Sequence, residues 1–242
     1  MQKIDLLIMG SSRPQLLEYT YKSFKKFVHT DKKVRVLFHE DAIYPGDSME
    51  SMKFAEDNKF EVSYHVPNIG LAPAMTKMFQ KVETGFIFYL QDDFEFERPV
   101  ELDRILWVMN KYNDINCITF NKRRNRNDAN VLNFSGLKVY KREFWSWNPG
   151  VWRMSYVRKK WIGPVRRKPE AKWFKIAGIS YIYGEPNEPR YIRHLGDTWR
   201  MAEWNMRGNK PGSVKNPDAH IGRAPWLAEP PERPVRSQDA SK

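Results

Sequence analysis

Residues 86–93, FIFYLQDD, mark a change from an apolar run to a pair of carboxylates. The stretch from Phe86 to Leu90 is apolar throughout, which predicts a strand that belongs to a core. Two acids, Asp92 and Asp93, follow after one more residue. Because an ionised carboxylate is costly to bury without a partner, we expect the strand to end here. The acids should then lie at the edge of a sheet.

Apolar runs alternate with amphipathic runs through the first 120 residues. The predicted strands are Ile4–Met9, Val34–His39, Phe60–Val66, Phe86–Leu90 and Ile115–Phe120. The predicted helices begin at Pro14, at a Ser48 cap, at Leu71 and at Pro99. This alternation predicts an α/β fold with a mainly parallel, Rossmann-like sheet and helices on both faces. In such sheets ligands bind beyond the carboxyl ends of the strands.

The alternation ends near residue 121, which predicts three parts. Residues 1–121 form the ordered α/β half, and residues 122–206 form a second half of the same domain, with strands predicted at Leu137–Tyr140 and Gly178–Tyr183. A short helix is predicted at Thr198–Met206. Residues 207–242 contain six prolines and three glycines, which predicts an extended tail.

The positive charge is concentrated in the second half. The whole chain has a net charge of +12, yet Lys122 to Lys175 alone hold 16 Lys/Arg and three acids, a local net charge of +13. Five of the nine tryptophans fall in the same segment: Trp145, Trp147, Trp152, Trp161 and Trp173. This combination predicts an anionic partner, although a solvated basic face and ordinary packing of tryptophans remain alternatives.

Cysteine content and hydropathy indicate the compartment. Cys117 is the only cysteine, so neither an internal disulfide nor a cysteine-based metal site can form. The apolar run near residue 1 is short for a signal peptide, and no stretch approaches the roughly 18–20 apolar residues of a membrane span. We therefore expect a soluble protein of the cytoplasm, or of the host cell cytoplasm if its source is a virus.

Four short pieces of the first half occur in a recognisable order. They are Ser11-Ser12-Arg13-Pro14, Glu40-Asp41, Asn68-Ile69-Gly70 before a helix near Ala72, and Phe86–Asp93. Together they resemble the GT-A fold glycosyltransferases, particularly the family 2-like group, over roughly residues 3–121. In that family the last piece is the Asp-x-Asp-type motif, which holds a divalent metal on the diphosphate of a nucleotide sugar.

The resemblance implies a role for each matching residue. Asp93 would bind Mn²⁺ or Mg²⁺, His194 would complete the metal shell, and Asp92 would contact the ribose or the metal. Gln91 stands where an acid is common, so the site is less negative, and it could hydrogen-bond to the nucleotide. The other nucleotide contacts would be Ser11, Arg13, Glu40, Asp41, Asn68 and Gly70. The donor is expected to be a UDP-sugar.

The chemistry of the acidic pair agrees with this implication. Mg²⁺ and Mn²⁺ prefer carboxylate oxygens and share their shell with substrate phosphates, and such an ion stabilises a leaving diphosphate. The alternative is a purely structural role, in which both acids cap the turn that follows the strand. For Gly70 the alternative is a backbone that needs positive φ.

The acceptor side lies in the second half. A carboxylate base is sought there, and Glu185 and Glu188 are the candidates. The candidate acceptor contacts are Trp145, Trp147, Asn148, Trp152 and Arg153.

These inferences predict a metal-dependent hexosyl- or pentosyltransferase acting on an anionic acceptor. The specific hypothesis is a hydroxyl-bearing modified base in DNA, extruded from the duplex in the manner of phage-type DNA glycosylation. An anionic glycan or a lipid-linked saccharide is the alternative acceptor. A metal-dependent nuclease and a non-catalytic nucleic-acid-binding protein are the alternatives of another class.

Overall fold

A computed structural model describes residues 3–120, 130–142, 148–160 and 180–196, all of which belong to one compact unit, Met1–Gly196. The first half contains β1 (Lys3–Gly10), α1 (Pro14–Phe27), β2 (Val28–His29), β3 (Lys33–Asp41), α2 (Pro45–Asp57), β4 (Glu61–His65), α3 (Leu71–Lys81), β5 (Phe86–Gln91), β6 (Phe94–Phe96), β7 (Val100–Glu101), α4 (Leu102–Lys111) and β8 (Cys117–Phe120). The second half contains β9 (Val131–Phe134), β10 (Leu137–Arg142), β11 (Gly150–Arg153), α5 (Met154–Lys160), β12 (Ser180–Tyr183) and β13 (Ile192–His194).

Among the described residues, nine strands form one sheet in the order β4-β3-β1-β5-β11-β8-β12-β10-β9. The block β4-β3-β1-β5 is parallel throughout, and β8 pairs parallel with β12. Only β11 and β10 run against the other strands. The prediction of a mainly parallel α/β sheet is therefore confirmed.

Helices cover both faces of this sheet, as predicted. On one face, α1, α2 and α4 pack against alternate strand residues such as Leu6, Ile8 and Phe88. On the other face, α3 and α5 pack against the intervening residues, including Leu7 and Tyr89. Since successive residues of a strand face opposite sides, β1 and β5 need apolar residues at almost every position.

Two predicted helix starts are wrong, each for a local reason. The helix expected from a Ser48 cap begins at Pro45, whose fixed φ suits the first turn, and Ser48 points into the core instead. The helix expected from Pro99 begins at Leu102, because Val100 and Glu101 pair with β2 as the short strand β7.

The second half adds strands to the sheet of the first. Residues 150–153 form β11, which lies between β5 and β8, so the fourth and fifth predicted strands are not neighbours. The predicted helix Thr198–Met206 and the tail lie outside the described residues, and the predicted division at residues 121 and 206 stays a prediction. Within the described ranges, every helix is too short or too polar to cross a membrane.

Candidate active site

The turn that carries Asp92 and Asp93 is fixed by the chain on either side of it. The amide of Asp92 donates to the carbonyl of Met9 at 3.0 Å, which extends the β1–β5 ladder by one bond. The Thr20 hydroxyl, from α1, donates to the Asp92 carbonyl at 2.8 Å and accepts the Phe94 amide at 3.1 Å. Both carboxylates are consequently held at the carboxyl ends of β1 and β5, the edge at which the sequence predicts a ligand.

Arg13 binds both carboxylates from the loop after β1. Its Nη2 contacts Asp92 Oδ1, its Nε donates to Asp92 Oδ2 at 3.2 Å, and its Nη1 donates to Asp93 Oδ2 at 2.8 Å. The backbone amide of Ser11 also donates to Asp92 Oδ2, at 3.0 Å. The two acids are almost fully buried, whereas 26% of the Arg13 side chain stays exposed. The Arg13 side chain is therefore more exposed to solvent than either acid.

His194 reaches the same pair from the end of β13. Its Nε2 lies 3.1 Å from Asp93 Oδ2, and the Leu195 amide donates to the Asp93 carbonyl at 2.7 Å. The His194 ring stacks on Phe94 with centroids 4.6 Å apart, which fixes its orientation. A side chain at Gly196 would collide with Asp93 Oδ2, so the chain passes directly over the carboxylate. The structure thus unites Ser11, Arg13 and His194 with the acidic pair.

Burial and neighbouring charges set the pKa values of the acidic pair and of Arg13. Burial and the neighbouring Asp93 charge raise the pKa of Asp92, against the effect of the Arg13 charge. Burial would also raise the pKa of Asp93, but the His194 hydrogen bond and the Arg13 charge outweigh it and lower that pKa. Burial opposes the charge of Arg13, yet the two carboxylates raise its pKa and keep it protonated.

Glu40 lies beside the acidic pair in a buried polar cluster. Its Oε1 accepts the Ser12 amide at 2.5 Å and the Ser48 hydroxyl at 3.0 Å. Its Oε2 is buried and has no hydrogen-bond partner among the described residues. Burial raises the pKa of Glu40 to about 7, opposed by the hydrogen bond from Ser12. Glu40 is therefore poised between its two protonation states, which the sequence did not predict.

Asp41 holds the loop that leads into α3. Its two carboxylate oxygens accept the amides of Ile69 and Gly70 at 2.7 and 2.8 Å, and the Asn68 side chain donates to its carbonyl at 3.0 Å. Gly70 has a φ of +86°, which a glycine adopts without strain. The predicted nucleotide contacts Asp41, Asn68 and Gly70 thus contact one another, and Gly70 has the positive φ that was named as the alternative reason for a glycine there.

Gln91 ends β5, and Asn148 lies just before the neighbouring strand β11, at the same edge of the sheet. Gln91 Nε2 donates to the Tyr89 hydroxyl at 3.0 Å, so the amide is turned along β5. Gly150 pairs with Tyr89, and β11 runs antiparallel to β5. Asn148, two residues before Gly150, therefore lies on the same side of Gly150 as Gln91 lies of Tyr89. Asn148 therefore precedes β11 by two residues, on the side of the sheet edge that carries the acids.

Two of the predicted acceptor contacts have structural roles instead. Trp152 is 1% exposed and stacks on Tyr89 with centroids 4.3 Å apart, so the prediction that it contacts an acceptor is wrong. The Arg153 guanidinium donates to the carbonyls of Ile115, Met109 and Tyr112, which corrects its predicted acceptor role in the same way. Trp145 and Trp147 lie outside the described residues.

The structure does not bring the two candidate bases to the acidic pair. Glu188 pairs with Arg98 at 3.3 Å and accepts the Tyr191 hydroxyl at 3.0 Å, at the opposite end of the β6–β13 ladder from His194. Glu185 pairs with Lys138 of β10. Three strand spacings separate β12 from β5, about 14 Å in total. Both carboxylates are paired with cations away from the acidic pair, and their role as the base stays a prediction.

The donor atoms present fit a divalent cation in part. Asp93 Oδ1 is buried and has no hydrogen-bond partner among the described residues, and the His194 ring lies beside the same carboxylate. Carboxylate oxygen and imidazole suit Mn²⁺, and Mg²⁺ and Mn²⁺ commonly take their remaining ligands from phosphate and water. Within the described ranges, groups of three or more His, Cys, Asp or Glu able to hold a metal do not occur. Asp93 and His194 would therefore hold an ion jointly with a bound diphosphate.

Two residues of the site, Thr20 and Gly196, had no predicted role, and the hydroxyl of Ser12 has a role that its sequence motif did not predict. Ser12 accepts the amides of Ile43 and Tyr44 at 2.9 and 2.8 Å and so positions the loop after β3. Thr20 and Gly196 support the acidic turn as described above. Thr20 could have been recognised as a polar residue at a helix position that is predicted to be buried. No sequence pattern around Gly196 indicates that it packs against the acidic turn.

Comparison with known proteins gives structural matches alone. No protein-family model matches the sequence, and no curated protein matches it in sequence. S. aureus TarS 1–349 in complex with UDP aligns with a TM-score of 0.54 and 10% identity, over 79% of this chain and 60% of that chain. The same protein in complex with UDP-GlcNAc aligns with a TM-score of 0.52 and 12% identity, over 79% of this chain and 58% of that chain.

A mannosyltransferase, PcManGT from Pyrobaculum calidifontis in complex with GDP-Man and Mn²⁺, matches with a TM-score of 0.49 and 10% identity, over 69% of this chain and 48% of that chain. This chain thus spans about three fifths of the TarS 1–349 chain that it resembles. At such identities the likeness to TarS concerns the fold, and it confirms the predicted GT-A architecture.

Proposed function

We propose that this protein is a glycosyltransferase that moves a sugar from a nucleotide-sugar donor to an acceptor hydroxyl. The observation that carries the proposal is the buried Asp92–Asp93 pair at the carboxyl ends of β1 and β5, with one unpartnered oxygen and an adjoining arginine. TarS, which shares the fold, binds UDP and UDP-GlcNAc, so a UDP-sugar is the proposed donor and a hexose or pentose the proposed cargo. The family 2-like group is the proposed affiliation.

The described residues divide the work of such a transfer. Asp93 and His194 would hold Mn²⁺ or Mg²⁺, which when bound supplies Lewis-acid stabilisation of the leaving diphosphate. Arg13, whose guanidinium contacts both carboxylates, would supply positive charge for phosphate oxygens. The loop of Asn68 and Gly70, fixed by Asp41, would contact the nucleoside at the adjacent edge, and the buried Ser12–Glu40 cluster would support that edge from inside the fold.

The proposed acceptor is anionic, and its specific form is a hydroxyl-bearing base in DNA. The segment from Lys122 to Lys175, with its net charge of +13, supports this proposal. Within the described part of that segment, Arg158 and Lys159 of α5 are exposed. Cationic side chains on a surface release counterions when they bind phosphates. Modification of DNA would take place inside a cell. A protein with a single cysteine, which cannot form an internal disulfide, suits that reducing compartment.

A donor experiment tests the proposed activity. Purified protein is incubated with UDP-glucose, UDP-GlcNAc and GDP-mannose in the presence of Mn²⁺, and mass spectrometry follows hydrolysis or transfer. We expect one donor to be consumed and calorimetry to show that it binds. Asp93→Ala should abolish this consumption. Asp103→Asn is the control and should leave it unchanged, because Asp103 accepts the Thr30 hydroxyl in a turn far from the site. Full activity of Asp93→Ala would contradict the assignment.

A separate experiment tests the acceptor. Radiolabelled donor is supplied with hydroxymethylated duplex DNA, unmodified duplex DNA of the same sequence, or an anionic saccharide. The proposal expects label in the hydroxymethylated DNA alone, with a rate that falls steeply as salt rises. Label in the saccharide alone would reject DNA as acceptor and leave the transferase assignment intact.

A further inference from the structure

The four oxygens of the acidic pair are engaged very unequally. Arg13 contacts both oxygens of Asp92 and also Oδ2 of Asp93, and Ser11 and His194 supply the remaining described contacts. Asp93 Oδ1 is the one oxygen left without a partner among the described residues. The guanidinium therefore occupies most of the acidic surface that a divalent cation would use.

The charge of Arg13 opposes a second cation at this place. Asp92 and Asp93 together carry two negative charges when ionised, and Arg13 already neutralises one of them. A divalent ion that bound Asp93 would meet the guanidinium across a single buried carboxylate, where like charges are poorly screened. Arg13 and a metal ion therefore compete for Asp93.

Arg13 also has an open side. All three of its nitrogens contact the two carboxylates, yet 26% of its side chain is exposed. Arg13 immediately precedes α1, a helix of 14 residues with no acidic residue in its first turn. A diphosphate that arrived from solvent would meet the exposed part of the Arg13 side chain and the positive end of the helix dipole together.

We propose that Arg13 is an exchangeable counter-ion: without nucleotide it opposes a divalent cation at Asp93, and a bound diphosphate removes this opposition by taking over the guanidinium. The proposal rests on the proposed function, since it assumes a nucleotide donor. It makes Arg13 a positioning residue that couples the two ligands. Because coupling between binding sites is reciprocal, the metal must strengthen nucleotide binding by the same factor.

Metal binding without any nucleotide tests the proposal directly. Free Mn²⁺ is measured by electron paramagnetic resonance in titrations of wild type, Arg13→Gln and Arg35→Gln. Arg35→Gln is a matched control, because Arg35 binds the buried Asp5 through Nε and Nη2 and its loss changes the net charge equally. We expect Arg13→Gln to bind Mn²⁺ at least about tenfold more tightly than wild type, and Arg35→Gln to match wild type.

The same titrations with UDP separate this proposal from the proposed function. UDP should tighten Mn²⁺ binding at least about tenfold in wild type and by a smaller factor in Arg13→Gln. Arg13→Lys keeps the positive charge, so its Mn²⁺ affinity without UDP should stay within about threefold of wild type. UDP binding with no Arg13→Gln effect on Mn²⁺ overturns the counter-ion role alone. If UDP and the other donor nucleotides bind neither wild type nor variant, the proposed function fails instead.

Thermal unfolding keeps the test decisive if Arg13→Gln is unstable. Without Arg13 the two carboxylates repel each other, so the variant should melt at a lower temperature in EDTA. Mn²⁺ should then raise its Tm more than that of wild type, because the ion takes the place of the lost cation. A variant that Mn²⁺ stabilises no more than wild type contradicts the proposal.

Discussion

Two arginines bind buried aspartates at opposite ends of β1, and the two arrangements differ in how completely they are satisfied. At the amino end, Arg35 donates to Asp5 from Nε and Nη2 at 2.8 and 3.0 Å, and the amides of Glu83 and Thr84 also donate to Asp5. Neither oxygen of Asp5 lacks a partner. Arg35 further contacts the Glu83 carboxylate and the Lys81 carbonyl.

At the carboxyl end, one arginine serves two acids. Arg13 contacts Asp92 and Asp93, and one carboxylate oxygen of the pair remains without a hydrogen-bond partner among the described residues. Burying such a group destabilises the fold unless something binds it. The amino-end pair therefore has the properties of a structural contact, whereas the carboxyl-end cluster has those of a ligand site.

The largest expected effect is a loss of activity when the charge of Asp93 is removed, compared with the same change at Asp5. Asp93→Asn should lower kcat/KM for sugar transfer or donor hydrolysis about 1000-fold, or about 4 kcal/mol, because it removes the proposed metal ligand. Asp5→Asn, a matched isosteric change, should leave kcat/KM of the folded protein near the wild-type value. Steady-state kinetics with the accepted donor measure both. Equal losses in the two variants would erase the distinction between the ends.

The stability of Asp5→Asn tests the other half of the comparison. It should lower the free energy of unfolding by about 3 kcal/mol at neutral pH, because Arg35 loses its buried partner. Burial would raise the pKa of Asp5, but Arg35 and the two amides lower it below its usual range. The stabilisation is consequently present above the usual Asp pKa and is lost as the pH falls through the lowered value. Urea denaturation at several pH values measures it, and an unchanged midpoint would contradict the structural role.

Glu40 predicts a pH dependence of opposite sign at the carboxyl end. Burial raises its pKa to about 7, so the folded protein holds a proton between the usual Glu pKa and that value, which the unfolded chain releases. The stability contributed by Glu40 is therefore complete below the usual pKa and is lost as the pH rises through about 7.

Glu40→Gln should remove this loss. We expect the variant to be more stable than wild type by about 2 kcal/mol at pH 8 and to approach wild type near pH 4.5, as measured by urea denaturation. The control is Glu50→Gln, an exposed position on α2, which should change stability by less than about 0.5 kcal/mol at either pH. A Glu40→Gln variant that is less stable than wild type at pH 8 would show that the charged form is favoured.

The smallest effect is expected at Gly196. A Cβ at this position would collide with Asp93 Oδ2, so Gly196→Ala should displace the carboxylate and lower kcat/KM about tenfold, or about 1.4 kcal/mol. Gly46→Ala places its methyl group on α2 with no atom within 4 Å, and it should leave activity unchanged. If the two variants have equal activity, the segment from His194 to Gly196 does not define the site.

The sequence by itself determined the parallel half of the fold and the position of the acidic pair. Apolar periodicity is a local property, so Ile4–Met9, Val34–His39 and Phe86–Leu90 could be recognised as strands, and parallel strands necessarily bring their carboxyl ends to one edge. The placement of Ser11, Arg13, Asp92 and Asp93 together follows from that rule.

Only the tertiary structure decided which partners these residues take. The insertion of β11 between β5 and β8 buries Trp152, and the β6–β13 ladder brings His194 to Asp93 while holding Glu188 at its other end. Such contacts join residues about 100 positions apart, and local propensity carries no information about them. The fork of Arg13 over both carboxylates likewise depends on the packing of α1 against β5, because a pattern of residues does not state which charges are already neutralised.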